Sequence, residues 1–519
     1  MRVHQLGWAL GTDHTLDSDS RQLDAAGDTR VSCCQTGEGM VMTWMMQTMG
    51  WMGWMVVKVW VAGVMGMVST LWTITGGSQR IPATPRPTGL RSPPRVILTG
   101  GRSPYTLPLI RVLARSGAAV AVAESMALPL SRFSADVSKS FRLPCGPAED
   151  YDLWVESLRA AAREWEADLI IPTCEEAVWL AQAAPVLEKD GVALLVHSDG
   201  EEMVGFHSKA GIMDSMEAAG LGAHVPYTCV VDSGRTVVDA IREVADASSA
   251  KEVVVAKPEF SRFGTRVRFV DVAHGARDVV EIVHGFAEGG GRHVIQQWIG
   301  GRGMCSYSVV WEGRVLAHCA YVPSAVVDTG ASATVTSIVH PGIAAFVASW
   351  AQAHSYSGQV GFDFIEREED GRLFVLECNP RTTLGVALLV HTASDRRALV
   401  YALLSPLLTL QHNNSIDDDP LVGGAGGAAG IGNEPGVVAG VAGILVGIAI
   451  PKAPNMSALL GYLSQVFRIR DVLYDSLDRR PWLFQVVCAS EVALRAWTHS
   501  MSLAEATTMD IEYSSCPSR

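Results

Sequence analysis

The sequence lacks the paired cysteines and clustered histidines from which zinc sites are built. Its ten cysteines are scattered along 519 residues, and no two of them form a C-x-x-C pair. Cys33 and Cys34 are adjacent, which is not a spacing used by metal ligands. We therefore expect reduced thiols in a cytoplasmic protein.

Positive charge is also scarce. The chain has 41 Lys and Arg against 54 Asp and Glu, which gives a formal net charge of −13 and a pI near 5.5. This balance argues against a nucleic-acid-binding protein, which would carry a basic face, but it leaves room for a local basic pocket around a nucleotide. A hydrophobic content of 48% with 18% charged residues excludes wholesale disorder. The length suffices for roughly two to four domains.

Leucine- and isoleucine-rich runs typical of membrane helices are missing from the N-terminal region, 1–93. Residues 40–77 carry a single charge, Lys58, and exceed the roughly 20 apolar residues that span a bilayer, but they are rich in Met, Trp, Gly and Thr. They also begin too late for an ordinary signal peptide, and the aspartates between 13 and 28 argue against a transit peptide. A membrane anchor, an unstructured extension and a wrongly assigned start of the reading frame all remain open. The region ends in a Pro-rich linker.

Short apolar runs alternate with helical patterns between 94 and 200. The predicted strands are 95–99, 118–123, 168–171 and 192–196, and the predicted helices are 108–116 and 175–187. This alternation predicts a parallel sheet with crossover helices, and hence a Rossmann-like α/β domain. The turn Gly100-Gly101-Arg102 lacks the complete G-x-G-x-x-G of a dinucleotide site. Thr173 to Glu176 follows a strand, where such sheets bind ligands, and is a candidate substrate-binding or domain-contact loop.

From 201 to 405 the pattern changes to strands joined by short turns. Glu312-Gly313 joins one predicted pair of strands, and Glu366 to Gly371 joins another. We predict an α+β domain with antiparallel sheets, followed by a flexible Gly/Ala-rich insertion over 406–455 and a helical extension over 456–519.

The second of these hairpins carries oxygen ligands on one face. Alternation along a strand places Glu377 and Asn379 on the same side, and folding the hairpin brings Asp363 roughly opposite Glu377. Carboxylate and amide oxygens suit Mg²⁺. Pro380 ends the strand, and Arg381 offers a bidentate cation to an anion held by the metal.

An ordinary edge hairpin with a polar solvent face is the alternative interpretation. For any two of these residues we would prefer it. However, two carboxylates opposite each other on paired strands destabilise the pair unless their charge is neutralised, and a cation does this economically.

A second group of residues has the composition of a phosphate site. Lys257 ends an apolar strand, and the loop 259–266 follows directly; we refer to this loop as the phosphate loop. Its small residues, Ser261, Gly264 and Thr265, allow backbone N–H groups to approach phosphates, and Arg262 adds charge. A strand-end lysine in water is the plainer alternative for Lys257.

These motifs, Gly361-Phe-Asp363 and Glu377-Cys-Asn-Pro-Arg381 above all, resemble the ATP-grasp superfamily, which includes carboxylate–amine ligases, biotin carboxylase and carbamoyl-phosphate synthase. The resemblance covers about 95–405. It implies a parallel-sheet pre-grasp domain over 94–200, a two-subdomain ATP-grasp fold over 201–405, and ATP with Mg²⁺ or Mn²⁺ as cofactors. The residue roles that it implies are metal ligation by Asp363, Glu377 and Asn379, catalysis by Arg381 and Lys257, phosphate contact by Lys209, Lys257, Ser261, Arg262, Gly264 and Thr265, and base contact by Gln296, Gln297 and Ile299.

The resemblance also implies a reaction. A substrate carboxylate would be activated as an acyl-phosphate and joined to an amine, so the expected partners are small-molecule carboxylates and amines, without nucleic acid. A homodimer and membrane contact through 40–77 are left open, and we do not favour the membrane contact. A nucleotide-binding module without catalysis is the main alternative, because no acid follows Gly301 where the family usually has one. A reductase built on the first sheet is the least favoured.

Overall fold

A computed structural model of the protein describes residues 80–87, 90, 92–232, 236–247, 253–262, 264, 266–272, 291–327, 331–412, 435–441 and 469–513. All of these belong to one compact unit, Ser78–Arg519. The apolar segment 40–77 and Thr265 lie outside the described residues, so the predictions for them stay predictions.

The first sheet is parallel, with strand order β3–β2–β1–β4–β5. Its strands are β1 Arg95–Thr99, β2 Ala119–Glu124, β3 Lys139–Arg142, β4 Leu169–Ile171 and β5 Ala193–Leu194, and its helices are α1 Thr106–Arg115, α2 Tyr151–Trp165 and α3 Glu176–Lys189. The central strands are buried along their length, as expected for a parallel sheet covered on both faces. The predicted α/β layer is confirmed, although β3 and α2 were not predicted.

The other described strands form a four-stranded sheet, β6–β9–β7–β8, and a seven-stranded sheet, β14–β13–β10–β11–β12–β15–β16. The strands are β6 Thr228–Val231, β7 Val253–Pro258, β8 Arg268–Asp271, β9 His293–Gln297, β10 Gly301–Trp311, β11 Arg314–Val327, β12 Ala331–Ile338, β13 Gly358–Arg367, β14 Leu373–Asn379, β15 Val438–Gly440 and β16 Arg470–Asp471. The helices are α4 Gly200–His207, α5 Gly211–Ala218, α6 Val237–Ala247, α7 Pro341–Ala353, α8 Ala393–His412, α9 Arg480–Thr498 and α10 Leu503–Ala506, with short 3-10 helices at Leu130–Phe133, Gly222–His224 and Leu384–Leu388. Within these two sheets, all strand pairs except β15–β16 are antiparallel, which confirms the predicted α+β region.

Both predicted hairpin turns are present. Glu312 and Gly313 have φ values of 49° and 75° between β10 and β11. Two successive residues with positive φ are what a two-residue turn needs to match the twist of the strands that it joins. Gly371, with φ of 70°, lies in the turn between β13 and β14.

The predicted insertion over 406–455 is too wide at both ends. Helix α8 continues to His412, and Val438–Gly440 forms β15, which pairs with β12. The composition hides this strand because three residues are too few to show an alternating pattern. The C-terminal extension contains α9 and α10 but also the short strand β16, so it is not purely helical.

The Pro-rich linker packs against the C-terminal extension. Ile81 is buried, and its N–H donates to Asp475 Oδ2 at 2.7 Å. Arg115 of α1 donates both to the Ile81 carbonyl and to the Asp475 carboxylate. In the described part of the chain, no helix is both long enough and apolar enough to cross a membrane.

Candidate functional site

The predicted oxygen ligands lie on adjacent strands. Asp363 of β13 is directly opposite Glu377 of β14, and Gly361 is opposite Asn379. The prediction that Asp363 lies roughly opposite Glu377 is therefore confirmed. Asn379 Nδ2 donates a weak hydrogen bond to Glu377 Oε1 at 3.4 Å, which brings the amide to the same place. We refer to Asp363 and Glu377 as the carboxylate pair.

A β-bulge next to the carboxylate pair changes the alternation on β14. Asp363 pairs with Glu377, but Phe364 pairs with Val375, so Leu376 has no partner on β13. Bulges re-aim side chains and free backbone groups, and they are frequent beside active sites. Here the Leu376 carbonyl accepts from Lys257 Nζ at 3.4 Å. The bulge thus places an acceptor for a lysine of the other antiparallel sheet.

The electrostatics of the carboxylate pair fit a cation. Burial and the neighbouring Glu377 raise the pKa of Asp363, so this group holds a proton more readily than an ordinary aspartate. Burial opposes ionisation of Glu377 too, but Lys209, the hydrogen bond with Asp363 and Lys257 together lower its pKa. Burial and mutual repulsion thus oppose a second negative charge on the pair, and a divalent cation is suited to neutralise it.

The candidate metal ligands are two carboxylates and one amide. Among the described residues, there is no group of three or more histidine, cysteine, aspartate or glutamate side chains arranged to hold a metal. Mg²⁺ does not require such a group, because it usually keeps several waters and binds through one or two carboxylates plus phosphate oxygens. The residues present therefore fit Mg²⁺ better than a metal that needs a complete protein cage.

Lys257 is held at the end of β7 by a neighbouring strand. Its Nζ donates to Gln296 Oε1 at 2.8 Å, and Gln296 Nε2 donates in turn to Thr228 Oγ1 at 2.9 Å. Burial lowers the pKa of Lys257 to about 8, although Glu377 favours its charged form. Because β7 and β9 are adjacent in the four-stranded sheet, Gln296 fixes the direction in which the ammonium points.

Lys209 lies between the phosphate loop and the carboxylate pair. It precedes α5, and the Ser208 hydroxyl accepts from the N–H of Gly211, the first residue of this helix, at 2.8 Å. Lys209 Nζ donates to the Ser261 carbonyl at 2.9 Å and lies 3.7 Å from Glu377 Oε2. One ammonium group therefore contacts both predicted components of the site.

In the phosphate loop, Gly264 has φ of 63°, a left-handed conformation that favours glycine. Arg262 does not extend into solvent, because its Nε lies 3.0 Å from Glu175 Oε1 of the parallel-sheet layer. The roles of Ser261, Arg262 and Gly264 toward phosphate stay predictions.

The two glutamines predicted at the base face different surroundings. Gln296 is buried and already bonded to Lys257 and Thr228, whereas Gln297 Oε1 accepts from the Tyr227 N–H at 3.4 Å. Successive side chains point to opposite faces of a strand, so the two amides lie on opposite faces of β9. The contact of Gln296 and Gln297 with a base stays a prediction. Ile299, buried just after β9, stays a candidate for the apolar wall.

Arg381 contacts an anion of the chain itself, the carboxylate of Glu175, which was not predicted as its partner. Its Nε donates to Glu175 Oε1 at 2.6 Å, and its Nη2 donates to Asn379 Oδ1 at 2.9 Å. Glu175 begins the turn into α3, in the loop 173–176 that was predicted to bind substrate or contact another domain. The position of this loop after a strand of the parallel sheet indicated that it makes a functional contact. That Glu175 pairs with Arg381 could be seen only in the tertiary structure.

Three solved structures show what this chain is similar to. An L-amino acid ligase from Bacillus licheniformis is 18% identical, with 60% of this chain and 75% of that chain covered and a TM-score of 0.45. The biotin carboxylase domain of 2-oxoglutarate carboxylase from Hydrogenobacter thermophilus, solved with MgADP, ADP and bicarbonate, is 15% identical, with 59% and 69% covered and a TM-score of 0.46. An N5-carboxyaminoimidazole synthetase from Staphylococcus aureus complexed with ADP is 12% identical, with 61% and 79% covered and a TM-score of 0.47.

No family model matches the sequence, and no curated protein matches it at a significant level. At identities of 12–18%, the function proposed below depends on the side chains of this chain.

Proposed function

We propose that this chain is an ADP-forming ATP-grasp ligase that activates a carboxylate as an acyl-phosphate and joins it to an amine. The observation that supports it most is the meeting of two antiparallel sheets at a charged site. Lys257 comes from the four-stranded sheet, the carboxylate pair comes from the seven-stranded sheet, and Lys209 contacts both the phosphate loop and Glu377. Cations beside a carboxylate pair match a metal-bound triphosphate.

Each group has a role that its position supports. Asp363, Glu377 and Asn379 would hold Mg²⁺ or Mn²⁺, which neutralises phosphate charge when bound. Lys209 and Lys257 would neutralise phosphate oxygens, and Arg381 would stabilise charge at the reacting carboxylate. Phosphoryl transfer depends mainly on such positioning and charge neutralisation, because the protein has little covalent work to do.

The reaction takes place in two displacements. An oxygen of the substrate carboxylate attacks the γ-phosphorus of ATP, the bond to the β-phosphate oxygen breaks, and ADP leaves. The amine nitrogen then attacks the acyl carbon, inorganic phosphate leaves with the electron pair of the broken C–O bond, and the nitrogen loses one proton. An amide and phosphate are the products, with ADP from the first step.

The variant Glu377→Ala tests this proposal. Incubation of the wild-type protein with ATP, Mg²⁺ and a metabolite extract should release ADP and phosphate and yield a condensed product detectable by mass spectrometry. The variant should lose at least about 100-fold in ADP release, because it removes both a metal ligand and a carboxylate near the two lysines. Its circular dichroism should match that of the wild type.

The matched control is Glu369→Ala, an exposed glutamate near the turn of the same hairpin. Its ADP release should equal that of the wild type. Unchanged phosphate release in Glu377→Ala would exclude the metal assignment.

A nucleotide-binding module without catalysis is the second candidate. One observation favours it: Arg381 and Arg262 both pair with Glu175 rather than facing an open site. Binding of ATP by the wild type without ADP release, in the presence of amino-acid mixtures and the extract, would support this candidate. A homodimer and the lack of nucleic-acid binding stay predictions.

A further inference from the structure

We propose that Glu175 is a positioning residue that holds three segments of the site through their basic side chains. This proposal rests on the function proposed above, because that function assigns the three segments to the binding of phosphate, metal and substrate. We refer to Glu175, His207, Arg262 and Arg381 as the Glu175 cluster.

Glu175 is buried at a place where parallel sheets bind ligands. It is 1% exposed and lies directly before α3, beyond the carboxyl end of β4. Helix α3 has 14 residues, and the positive end of its dipole favours a carboxylate at this position. The side chain therefore belongs structurally to the parallel-sheet layer.

Its partners all come from outside that layer. Oε1 accepts from Arg381 Nε at 2.6 Å and lies 3.0 Å from Arg262 Nε. Oε2 lies 3.1 Å from His207 Nε2. A single carboxylate thus contacts three basic side chains from three different segments.

Each of those segments carries a residue of the candidate site. Arg262 follows Ser261, whose carbonyl accepts from Lys209. Arg381 donates to Asn379, which donates to Glu377. His207 ends α4, two residues before Lys209. A change at Glu175 would therefore disturb three parts of the site together, namely the phosphate loop, the strand β14 with its candidate metal ligands, and the segment that carries Lys209.

The charges of the cluster do not balance. Cationic neighbours outweigh burial and keep the pKa of Glu175 well below its usual range, so it is ionised. Burial lowers the pKa of His207, which favours its neutral form near pH 7. One carboxylate then faces two guanidinium groups, which would repel each other without it.

Removing only the negative charge should have two effects of opposite kind. Glu175→Gln keeps the shape of the side chain but removes the carboxylate charge that Arg262 and Arg381 share. The phosphate loop and the segment around Arg381 should loosen, while the more positive site should attract polyanions more strongly. A side chain needed only for stability would not increase the affinity for an anion.

The test compares Glu175→Gln with wild type by two measurements that need no turnover. In hydrogen exchange, peptides covering 259–264 and 377–383 should exchange about tenfold faster, with β1 and β4 unchanged. In calorimetry with inorganic tripolyphosphate and no metal, the variant should bind about tenfold more tightly. Equal or weaker binding, or faster exchange throughout the chain, would overturn the proposal.

The matched control is Asp478→Asn. Asp478 is also 1% exposed and accepts from an arginine Nε, that of Arg111 at 3.1 Å, but it lies away from the site. In this variant, hydrogen exchange of the peptides 259–264 and 377–383 should equal that of the wild type. The affinity for tripolyphosphate should also be unchanged. An equal effect in both variants would also overturn the proposal.

Two further variants separate charge from shape. Glu175→Asp keeps the charge on a shorter side chain, so it should loosen the loop without a gain in tripolyphosphate affinity. If Glu175→Gln does not fold, the double variant Glu175→Gln, Arg262→Gln removes one negative and one positive charge together. It should show the faster exchange, with tripolyphosphate binding near that of wild type. Wild-type exchange in either variant would contradict the proposal. Neither hydrogen exchange nor tripolyphosphate binding requires turnover. If the protein proves to have no ligase activity, these measurements still test the role of Glu175, so failure of the proposed function and failure of this proposal can be told apart.

Discussion

Lys257 illustrates how one residue acquires the properties of its site. The residue is 7% exposed, and its ammonium bonds to an amide oxygen and a backbone carbonyl, neither of which carries a full negative charge. Burial therefore lowers its pKa to about 8 from 10.5. A lysine that titrates near physiological pH makes anion binding sensitive to pH.

We expect the affinity for ADP, measured without divalent cations, to fall by up to tenfold per pH unit above about pH 8. The sign follows from the loss of the Lys257 charge in the free protein. Folding stability should change in the opposite sense, because a depressed lysine pKa favours the folded state as pH rises from about 8 toward 10.5. Calorimetric titration at a series of pH values measures the first effect.

The variant Lys257→Arg is the control for this residue. Arginine keeps its charge throughout the range, so the decrease above pH 8 should disappear. Titration of the carboxylate pair near neutral pH should remain. A pH profile identical to that of the wild type would show that Lys257 does not contact the ligand.

At the scale of elements, the segment 503–513 fastens the C-terminal extension to the parallel sheet. Asp510 accepts from Arg102 Nη2 at 2.9 Å and from Ser125 Oγ at 2.6 Å, next to the carboxyl ends of β1 and β2. Burial opposes its ionisation, but Arg102 keeps its pKa well below the usual range. Tyr513, at the end of the segment, contacts Phe260 of the phosphate loop edge to face.

The variant Asp510→Ala should destabilise the protein by about 3 kcal/mol, because it leaves Arg102 buried with one carboxylate, Glu124, instead of two. Chemical denaturation followed by tryptophan fluorescence measures the change. Glu164→Ala is the control, since Glu164 pairs with Lys139 on the surface and its loss should cost less than about 1 kcal/mol. Equal midpoints for both variants would contradict the assignment.

At the scale of the whole molecule, three sheets contribute to the same place. The parallel layer supplies Glu175, the four-stranded sheet supplies Lys257, and the seven-stranded sheet supplies Glu377. No one of these layers contains the site. Ligand binding should therefore change the hydrogen exchange of elements that are far apart in the sequence.

We expect MgATP to slow hydrogen exchange in 253–262 and in 377–383 at the same time. The reason is that phosphates placed between Lys257 and the carboxylate pair contact both antiparallel sheets. Strands β1 and β4, which lie in the buried parallel core, should exchange as in the free protein. Protection of only one of the two antiparallel sheets would contradict a site between them.

The sequence predicted features that depend on neighbours along the chain or on one pair of strands. The alternation of apolar runs and helices predicted the parallel layer, and the turn at Glu312-Gly313 predicted the hairpin that it joins. The approximate opposition of Asp363 and Glu377 was predictable because a turn near Gly371 brings the two strands together. Their direct pairing was not, because the register counted from the turn would place Asp363 opposite Leu376, and the bulge shifts it by one residue. The strand β15 and the limits of the insertion were not, because three residues leave no periodic pattern.

The sequence by itself thus determined the local elements and the chemistry of the hairpin face, since both follow from backbone geometry and spacing. Only the tertiary structure decided which charges meet. Glu175 and Arg381 are 206 residues apart, and a pairing over that distance follows from how the layers pack. The contact of Lys257 with the Leu376 carbonyl at the bulge and its hydrogen bond to Gln296 were likewise set by the tertiary structure, because each joins residues of different strands or sheets.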